Sequence, residues 1–177
     1  MLNVKKAKKP DMDGVKLLAS ILVCYPEIGT VSYEPKQDAL HFSFALKEIL
    51  PREQYEYIGH FVQESIITYH CLEGYGDNAL IDIFLEGQGN TAFFHIIRDV
   101  ATISQGEISM ISAIMHDKLG NILLVDSDGG DGFDIEVAGE PVQEEYIDHM
   151  ITTLKAARMS GRMIGVREEG RVMVFNK

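Results

Sequence analysis

The alternation of apolar and polar side chains along the chain predicts antiparallel hairpins. In one segment every second residue is apolar, the period of a strand with one buried face; these residues are Leu40, Phe42, Phe44 and Leu46. A shorter strand precedes this one across a turn over residues 34–38, completing a first hairpin. Further hairpins are predicted over residues 79–97, 108–126 and 163–175.

Apolar residues spaced three and four apart predict three helices between these hairpins. The first stops at Pro26. The second begins at Pro51 and ends at Gly74. The third begins at Pro141 and ends at Gly161. Proline suits the first position of a helix because its missing N–H has no partner inside the helix there.

Residues 101–116 fit two structures. Ser104 followed by Glu107 has the spacing of a helix capping box. We nevertheless interpret residues 101–107 as a turn and residues 108–116 as a strand. A helix over residues 105–116 is the alternative, and the sequence leaves it open.

The predicted order of elements, α-ββ-α-ββ-ββ-α-ββ, indicates an α+β fold. We expect one or more antiparallel sheets of hairpins, with about three helices packed on one face. A single domain is expected over residues 11–177, after a flexible basic tail over residues 1–10.

A short internal repeat suggests a ββαββ duplication. The segment Tyr57-Ile58-Gly59-His60-Phe61-Val62 resembles Tyr146-Ile147-Asp148-His149-Met150-Ile151. Each copy lies on a proline-led helix that a predicted hairpin follows. The duplicated halves would be residues 29–98 and 108–177. The alternative is that two unrelated helices share the same amphipathic pattern.

The charge distribution argues against nucleic-acid and membrane partners. The net charge of the 177 residues is -11. Four of the 16 basic residues lie within residues 1–10, which hold no acid, so 12 basic and 27 acidic residues remain. A body this acidic repels nucleic acid and anionic lipid. No apolar stretch reaches the ~20 residues that a transmembrane helix needs.

The two cysteines indicate a cytoplasmic protein. Cys24 and Cys71 stand far apart in predicted helices and belong to no CxxC motif, as expected of reduced thiols. The lysines of the N-terminus imitate a secretion signal, but Asp11, Asp13 and Lys16 interrupt that pattern.

An acidic, glycine-rich segment is the candidate metal site. Its carboxylates belong to Asp126, Asp128, Asp131 and Asp134. A divalent cation such as calcium prefers several oxygen ligands on a chain that can wrap around it. The segment departs from an EF-hand loop, since Gly130 stands where an acid is required and Val137 occupies the closing position. The alternative is a solvated turn. This cation is the only cofactor that the sequence suggests.

The repeat also supplies a candidate ligand-binding site. Tyr57 and His60 share one helical face, as do Tyr146 and His149. If the two helices pack side by side, both histidines approach one cleft, where they can act as metal ligands or as acid and base. The alternative is that these side chains are packed or solvated without a function.

Two other residues are expected to pair without any catalytic role. His95 and Asp82 lie on the two strands of the predicted hairpin 79–97 and are expected to face each other across it. No phosphate-binding loop, GxSxG elbow, HExxH or dinucleotide motif is present in the chain.

These observations favour a non-enzymatic binding or regulatory module that acts as a homodimer through its sheet edges. The alternative is a small-ligand or metal-dependent enzyme with a histidine and acidic site. Between Asn121 and Leu154 there are nine acids and no Lys or Arg, which suits a basic protein partner. The alternative is that the six basic residues between Lys155 and Lys177 neutralise this segment, within the fold or across subunits. In size, acidity and mixture of elements the chain resembles bacterial secretion chaperones, usually dimeric binders, although it shares no motif with them.

Overall fold

The computed structural model describes residues 12–125, 136–137, 140–141 and 144–176. The described residues form four helices: α1 (Met12–Cys24), α2 (Arg52–Glu73), α3 (Gln105–Leu119) and α4 (Glu145–Ala156). They also form eight strands: β1 (Thr30–Glu34), β2 (Ala39–Leu46), β3 (Ile81–Gln88), β4 (Thr91–Asp99), β5 (Glu136–Val137), β6 (Glu140–Pro141), β7 (Met163–Glu168) and β8 (Arg171–Asn176).

Six of these strands make one antiparallel sheet, in the order β3-β4-β2-β1-β7-β8. The short strands β5 and β6 pair separately. An α+β fold with an antiparallel sheet is therefore confirmed.

The core lies between one face of this sheet and the helices. Val31, Phe42 and Ile96 stand side by side in the register and point into it. All four helices add apolar side chains to the same cluster, among them Leu18, Ile58, Ile111 and Ile151. Each such buried side chain contributes about 1.5–3 kcal/mol relative to an exposed one. The residues that alternate with these along each strand therefore point to the opposite face of the sheet.

The predicted extent of α2 is confirmed to within one residue, since the helix begins at Arg52 and not at Pro51. Pro51 adopts an extended conformation just before the helix. Gly74 ends the helix in the left-handed conformation, with φ of 73°, and its N–H bonds to the carbonyl of Cys71. A side chain at this φ is strained, so glycine is the natural helix terminator here.

The strand predicted over residues 108–116 is wrong, because these residues belong to α3. Ile108 and Met110 fit an alternating pattern, but Ile108, Ile111 and Met115 also follow helical spacing and are buried in the core. Ser104 caps the helix by accepting a hydrogen bond from the N–H of Glu107. The fold thus has a fourth helix where we predicted a strand.

The start predicted for the last helix is also wrong. Pro141 lies in β6, and α4 begins at Glu145. The helix ends at Ala156, before the predicted Gly161. A proline is compatible with both a helix start and the edge of a short ladder, and the sequence pattern did not distinguish them.

The internal duplication stays a prediction. The first half contains two hairpins and one helix, α2. The second half contains most of α3, the helix α4, the hairpin of β7 and β8, and the two-residue strands β5 and β6, which stand outside the main sheet. The described part of the chain contains no helix with the length and apolar character to cross a membrane.

Candidate functional site

The sheet face opposite the helices, here called the open face, carries two apolar groups separated by a polar lane. One group lies on β3 and β4 and consists of Phe84, Phe93 and Ile97. The other lies on β7 and β8 and consists of Ile164, Val166, Met173 and Phe175. Between them, β1 and β2 contribute Thr30, Ser32, His41 and Ser43.

A histidine cluster joins the polar lane to the first apolar group. It consists of His41, Ser43, Glu86 and His95. The Nδ1 atom of His95 lies 2.9 Å from His41 Nε2 and 2.9 Å from Ser43 Oγ. Its Nε2 atom lies 3.1 Å from Glu86 Oε2. The ring of Phe84 stacks on that of His95 at 4.6 Å between centroids.

These contacts determine how the cluster shares its protons. Glu86 accepts hydrogen bonds when ionised, so His95 donates through Nε2–H. The Nδ1 atom of a neutral His95 then has one electron pair, for which Ser43 O–H and His41 N–H compete. When His41 donates through Nε2–H, its Nδ1 keeps an electron pair free to accept a proton.

Both histidines are held neutral at pH 7. Burial lowers the pKa of His95, against the opposing effect of the Glu86 carboxylate. Burial is also the largest cause that lowers the pKa of His41, followed by His95 and Arg162. Neutral imidazoles are hydrogen-bonding and basic groups rather than cations.

The serine of this cluster is badly placed for nucleophilic catalysis, even though Ser43, His95 and Glu86 stand in the order of a catalytic triad. Ser43 is 91% buried. Its strand pairs on both sides, with Thr30 and His95 opposite, so its backbone N–H groups are committed to the sheet. Stabilising an oxyanion requires free donors aimed at the reacting atom. The arrangement therefore favours ligand recognition or proton exchange.

A pocket of about 300 Å³ adjoins the cluster through His41. It lies on the open face near the turn that joins β1 to β2. The residues that line it are Ser32, Glu34, Lys36, Gln37, Ala39, His41, Ile97 and Arg162. Pockets of this volume admit small organic molecules.

Comparisons with protein-family models, curated proteins and solved structures found no match to this chain.

A second polar group is buried on the helix side of the sheet, around Arg98. Its guanidinium donates to both carboxylate oxygens of Glu107, at 2.7 and 2.9 Å. It also donates to Asp99 Oδ1 and to the carbonyl of Leu80, each at 2.5 Å. His70 Nε2 lies against Glu107 Oε1. We call these residues, with Thr102, the arginine network.

The arginine network ties together α2, β4 and α3, the elements that carry His70, Arg98 and Glu107. Burial alone would raise the pKa of Asp99, but the hydrogen bond from Thr102 and the charge of Arg98 lower it below its ordinary value. His70 Nδ1 is the one buried side-chain polar atom without a partner in the described part of the chain. Because its charged groups are paired with one another across these elements, we interpret the network as structural.

The residues of the predicted ligand-binding site lie on two helices that do not touch. Tyr57 and His60 are exposed on α2, and Tyr146 and His149 are exposed on α4. Each of these helices contacts α3, and neither contacts the other. The Lys118 ammonium of α3 lies 5.9 Å from the Tyr57 ring centre. The structure thus gives the two pairs separate surroundings.

The predicted metal ligands Asp126, Asp128, Asp131 and Asp134 lie outside the described residues. Within residues 12–125, 136–137, 140–141 and 144–176, no group of three or more His, Cys, Asp or Glu side chains is arranged to hold a metal ion.

Sequence reasoning missed both polar groups. The expected pair of His95 and Asp82 is wrong, because Asp82 stands opposite Ile97 and His95 reaches Glu86. Arg98 could have been found, since it continues the inward alternation of Phe94 and Ile96. A charged residue at an inward strand position requires a buried partner.

Proposed function

We propose that this protein is a non-enzymatic binding or regulatory module that acts as a homodimer, with β8 as the strand through which two copies pair. The observation that carries the proposal is the composition of this edge of the sheet. Among the described residues, β8 pairs with one strand only, β7. Its four central residues, 172–175, are all apolar, and Phe175 is 52% exposed.

An edge strand presents backbone N–H and C=O groups that another strand can pair with. Soluble proteins usually protect such edges with charges, bulges or proline. The opposite edge has this protection, since β3 carries Asp82 and Glu86. β8 carries a single charge, at Arg171, and no proline. The contrast favours β8 as the pairing edge.

Pairing of two β8 strands is compatible with closed symmetry. Two antiparallel copies of one strand are related by a two-fold axis, the commonest symmetry of homo-oligomers. The two sheets then join into one, and the second apolar group of each open face, which includes Met173 and Phe175, continues across the axis.

Light scattering during size-exclusion chromatography tests the proposal. We expect a dimer at micromolar concentration. Phe175→Lys places a second positive charge on the strand that carries Arg171, and we expect it to produce a monomer because charged edges resist pairing.

Leu72→Lys is the matched control. Leu72 is 81% exposed on α2, away from the β8 edge, so this variant receives the same charge and should remain dimeric. Circular dichroism verifies that both variants are folded. A monomeric wild-type protein, or a Phe175→Lys variant that stays dimeric, rules out pairing through β8.

We propose a basic protein as the partner of this module, in the cytoplasm. We expect this partner to be basic because the segment from Asn121 to Leu154 is acidic and attracts positive charge. In its described part, Glu144, Glu145 and Asp148 lie at the start of α4 and are exposed. Cys24 and Cys71 are free thiols, which supports a reducing compartment. Nucleic acid is disfavoured by the charge of the body.

The second candidate is a small-ligand or metal-dependent enzyme, and the histidine cluster is the observation that favours it. The free electron pair of His41 next to a pocket suits a general base. Elemental analysis of the purified protein tests the metal-dependent version. One bound divalent cation per chain supports it, and the absence of any, with no change in thermal stability on adding calcium or zinc, contradicts it.

A further inference from the structure

The pocket beside the histidine cluster has a positive rim, in contrast to the acidic body of the protein. Lys36 and Arg162 are both exposed at its edge. Its carboxylate comes from Glu34, whose Oε2 atom is 3.9 Å from Arg162 Nε. This separation exceeds hydrogen-bonding distance, so the guanidinium can still engage another acceptor.

We propose that this pocket binds a small organic anion through a carboxylate or phosphate group, held by Arg162, Lys36 and His41. The inference does not depend on dimer formation through β8, since the pocket lies over β1, β2 and β4.

Arginine and lysine supply the attraction that such an anion needs. The planar guanidinium of Arg162 presents paired N–H donors that match two oxygens of a carboxylate or phosphate. The Lys36 ammonium makes no ion pair with any of the described residues that face it, and supplies a second positive charge. Ser32 adds a hydroxyl next to His41, its partner in the register.

The floor of the pocket is suited to the carbon skeleton of the ligand. Ala39 and Ile97 are apolar and lie in the sheet beneath the charged rim. An inorganic anion leaves this floor uncovered, whereas an organic anion buries it and gains about 25 cal/mol for each Å² of apolar surface removed from water. The pocket should therefore favour an organic anion over inorganic phosphate.

His41 makes the binding sensitive to pH. In the unliganded protein its ring is neutral, because it is partly buried and lies near Arg162. An anion beside the ring favours the imidazolium, so binding is coupled to proton uptake. The titratable and charged groups that face His41 from neighbouring elements are Glu34, Lys36, Asp82, Glu86, His95 and Arg162.

Titration of the full-length protein with succinate and with inorganic phosphate, followed by amide NMR shifts, tests the proposal. We expect saturable shifts confined to residues around Ser32, His41 and Arg162, with succinate binding more tightly than phosphate. Tighter binding of inorganic phosphate than of succinate contradicts the preference for an organic anion. Shifts spread over the surface, or no shifts with either probe, overturn the proposal.

Variants separate this site from general attraction to positive charge. Arg162→Gln should weaken succinate binding at least about tenfold, the effect of losing a charge-assisted hydrogen-bond pair. Arg171→Gln is the matched control, because Arg171 lies on the same sheet face but outside the pocket. Equal losses in both variants overturn the proposal.

The same titration at two pH values tests the role of His41. Succinate binding should tighten between about pH 7.5 and pH 6, as His41 takes up a proton. In His41→Gln this dependence should disappear. A dependence that persists unchanged in His41→Gln contradicts the participation of this ring.

Discussion

The side chain of Arg98 holds several elements of the fold together through its hydrogen bonds. Its side chain is fully buried and its guanidinium faces the fully buried carboxylate of Glu107. Desolvating two such charges is costly, and their attraction offsets that cost only while both partners are present. Removing one charged member of the arginine network should therefore lower the free energy of unfolding more than removing both members of a pair.

Arg98→Met should destabilise the protein by about 3–5 kcal/mol, because it leaves the Glu107 carboxylate buried without its guanidinium. Urea unfolding followed by circular dichroism measures the loss. The double variant Arg98→Met with Glu107→Leu removes both charges and should recover most of that stability.

Arg52→Met is the control for this comparison. Arg52 pairs with Glu56 on the surface of α2, where water screens the charges. The urea unfolding midpoint of the Arg52→Met variant should match that of the wild-type protein. If Arg98→Met unfolds at the same midpoint as Arg52→Met, the buried pair has been assigned too much importance.

His41 and His95 should make the stability fall in mildly acidic solution. Their pKa values are lowered in the folded protein, so the unfolded chain binds protons more readily. Their contribution is complete above the unfolded pKa of about 6.5 and is lost as the pH falls through that value toward the folded pKa.

Urea unfolding between about pH 8 and pH 5.5 measures this loss. The wild-type protein should lose stability toward the acidic end of the range. His95→Gln keeps a side chain able to bond Ser43 or Glu86 but cannot titrate, and its profile should be flatter. Profiles that are parallel in the two proteins would show that His95 does not contribute.

Among the elements, α3 depends most clearly on its first turn. The Ser104–Glu107 spacing of a capping box is present, but only half of that motif forms. The Ser104 hydroxyl accepts from the Glu107 N–H at 3.3 Å. The Glu107 carboxylate turns inward to Arg98 instead of returning to the cap. The same hydroxyl lies 3.2 Å from the Tyr69 hydroxyl of α2, so the cap also joins two helices.

Ser104→Ala should reduce the free energy of unfolding by about 1 kcal/mol, the usual cost of losing a cap. Thermal or urea unfolding measures it. Ser65→Ala is the control, since Ser65 lies inside α2 with its hydroxyl bonded to the Phe61 carbonyl. Alanine is favourable within a helix, so this variant should be at least as stable as the wild-type protein. A loss of equal size in both variants would contradict the capping role.

For the complete fold, the decisive feature is that all four helices contribute to a core on one side of a six-stranded sheet. This arrangement leaves an open face with a histidine cluster and a pocket, and leaves β8 at an edge. The histidine cluster and the arginine network thus lie on opposite sides of β4, since its residues His95 and Arg98 point in opposite directions.

Local periodicity was enough to predict the α+β class with an antiparallel sheet and the extent of α2 to within one residue, because burial of one face imposes a period of two on strands and about 3.6 on helices. It was not enough for residues 108–116, where both periods fit, or for the start of α4, where a proline suits two structures. The pairing of His41 with His95, of Arg98 with Glu107, and the pocket beneath Arg162 depend on strand order and on contacts between residues distant in the chain. Such contacts form only when the strands and helices pack together, and no spacing along the chain encodes them directly.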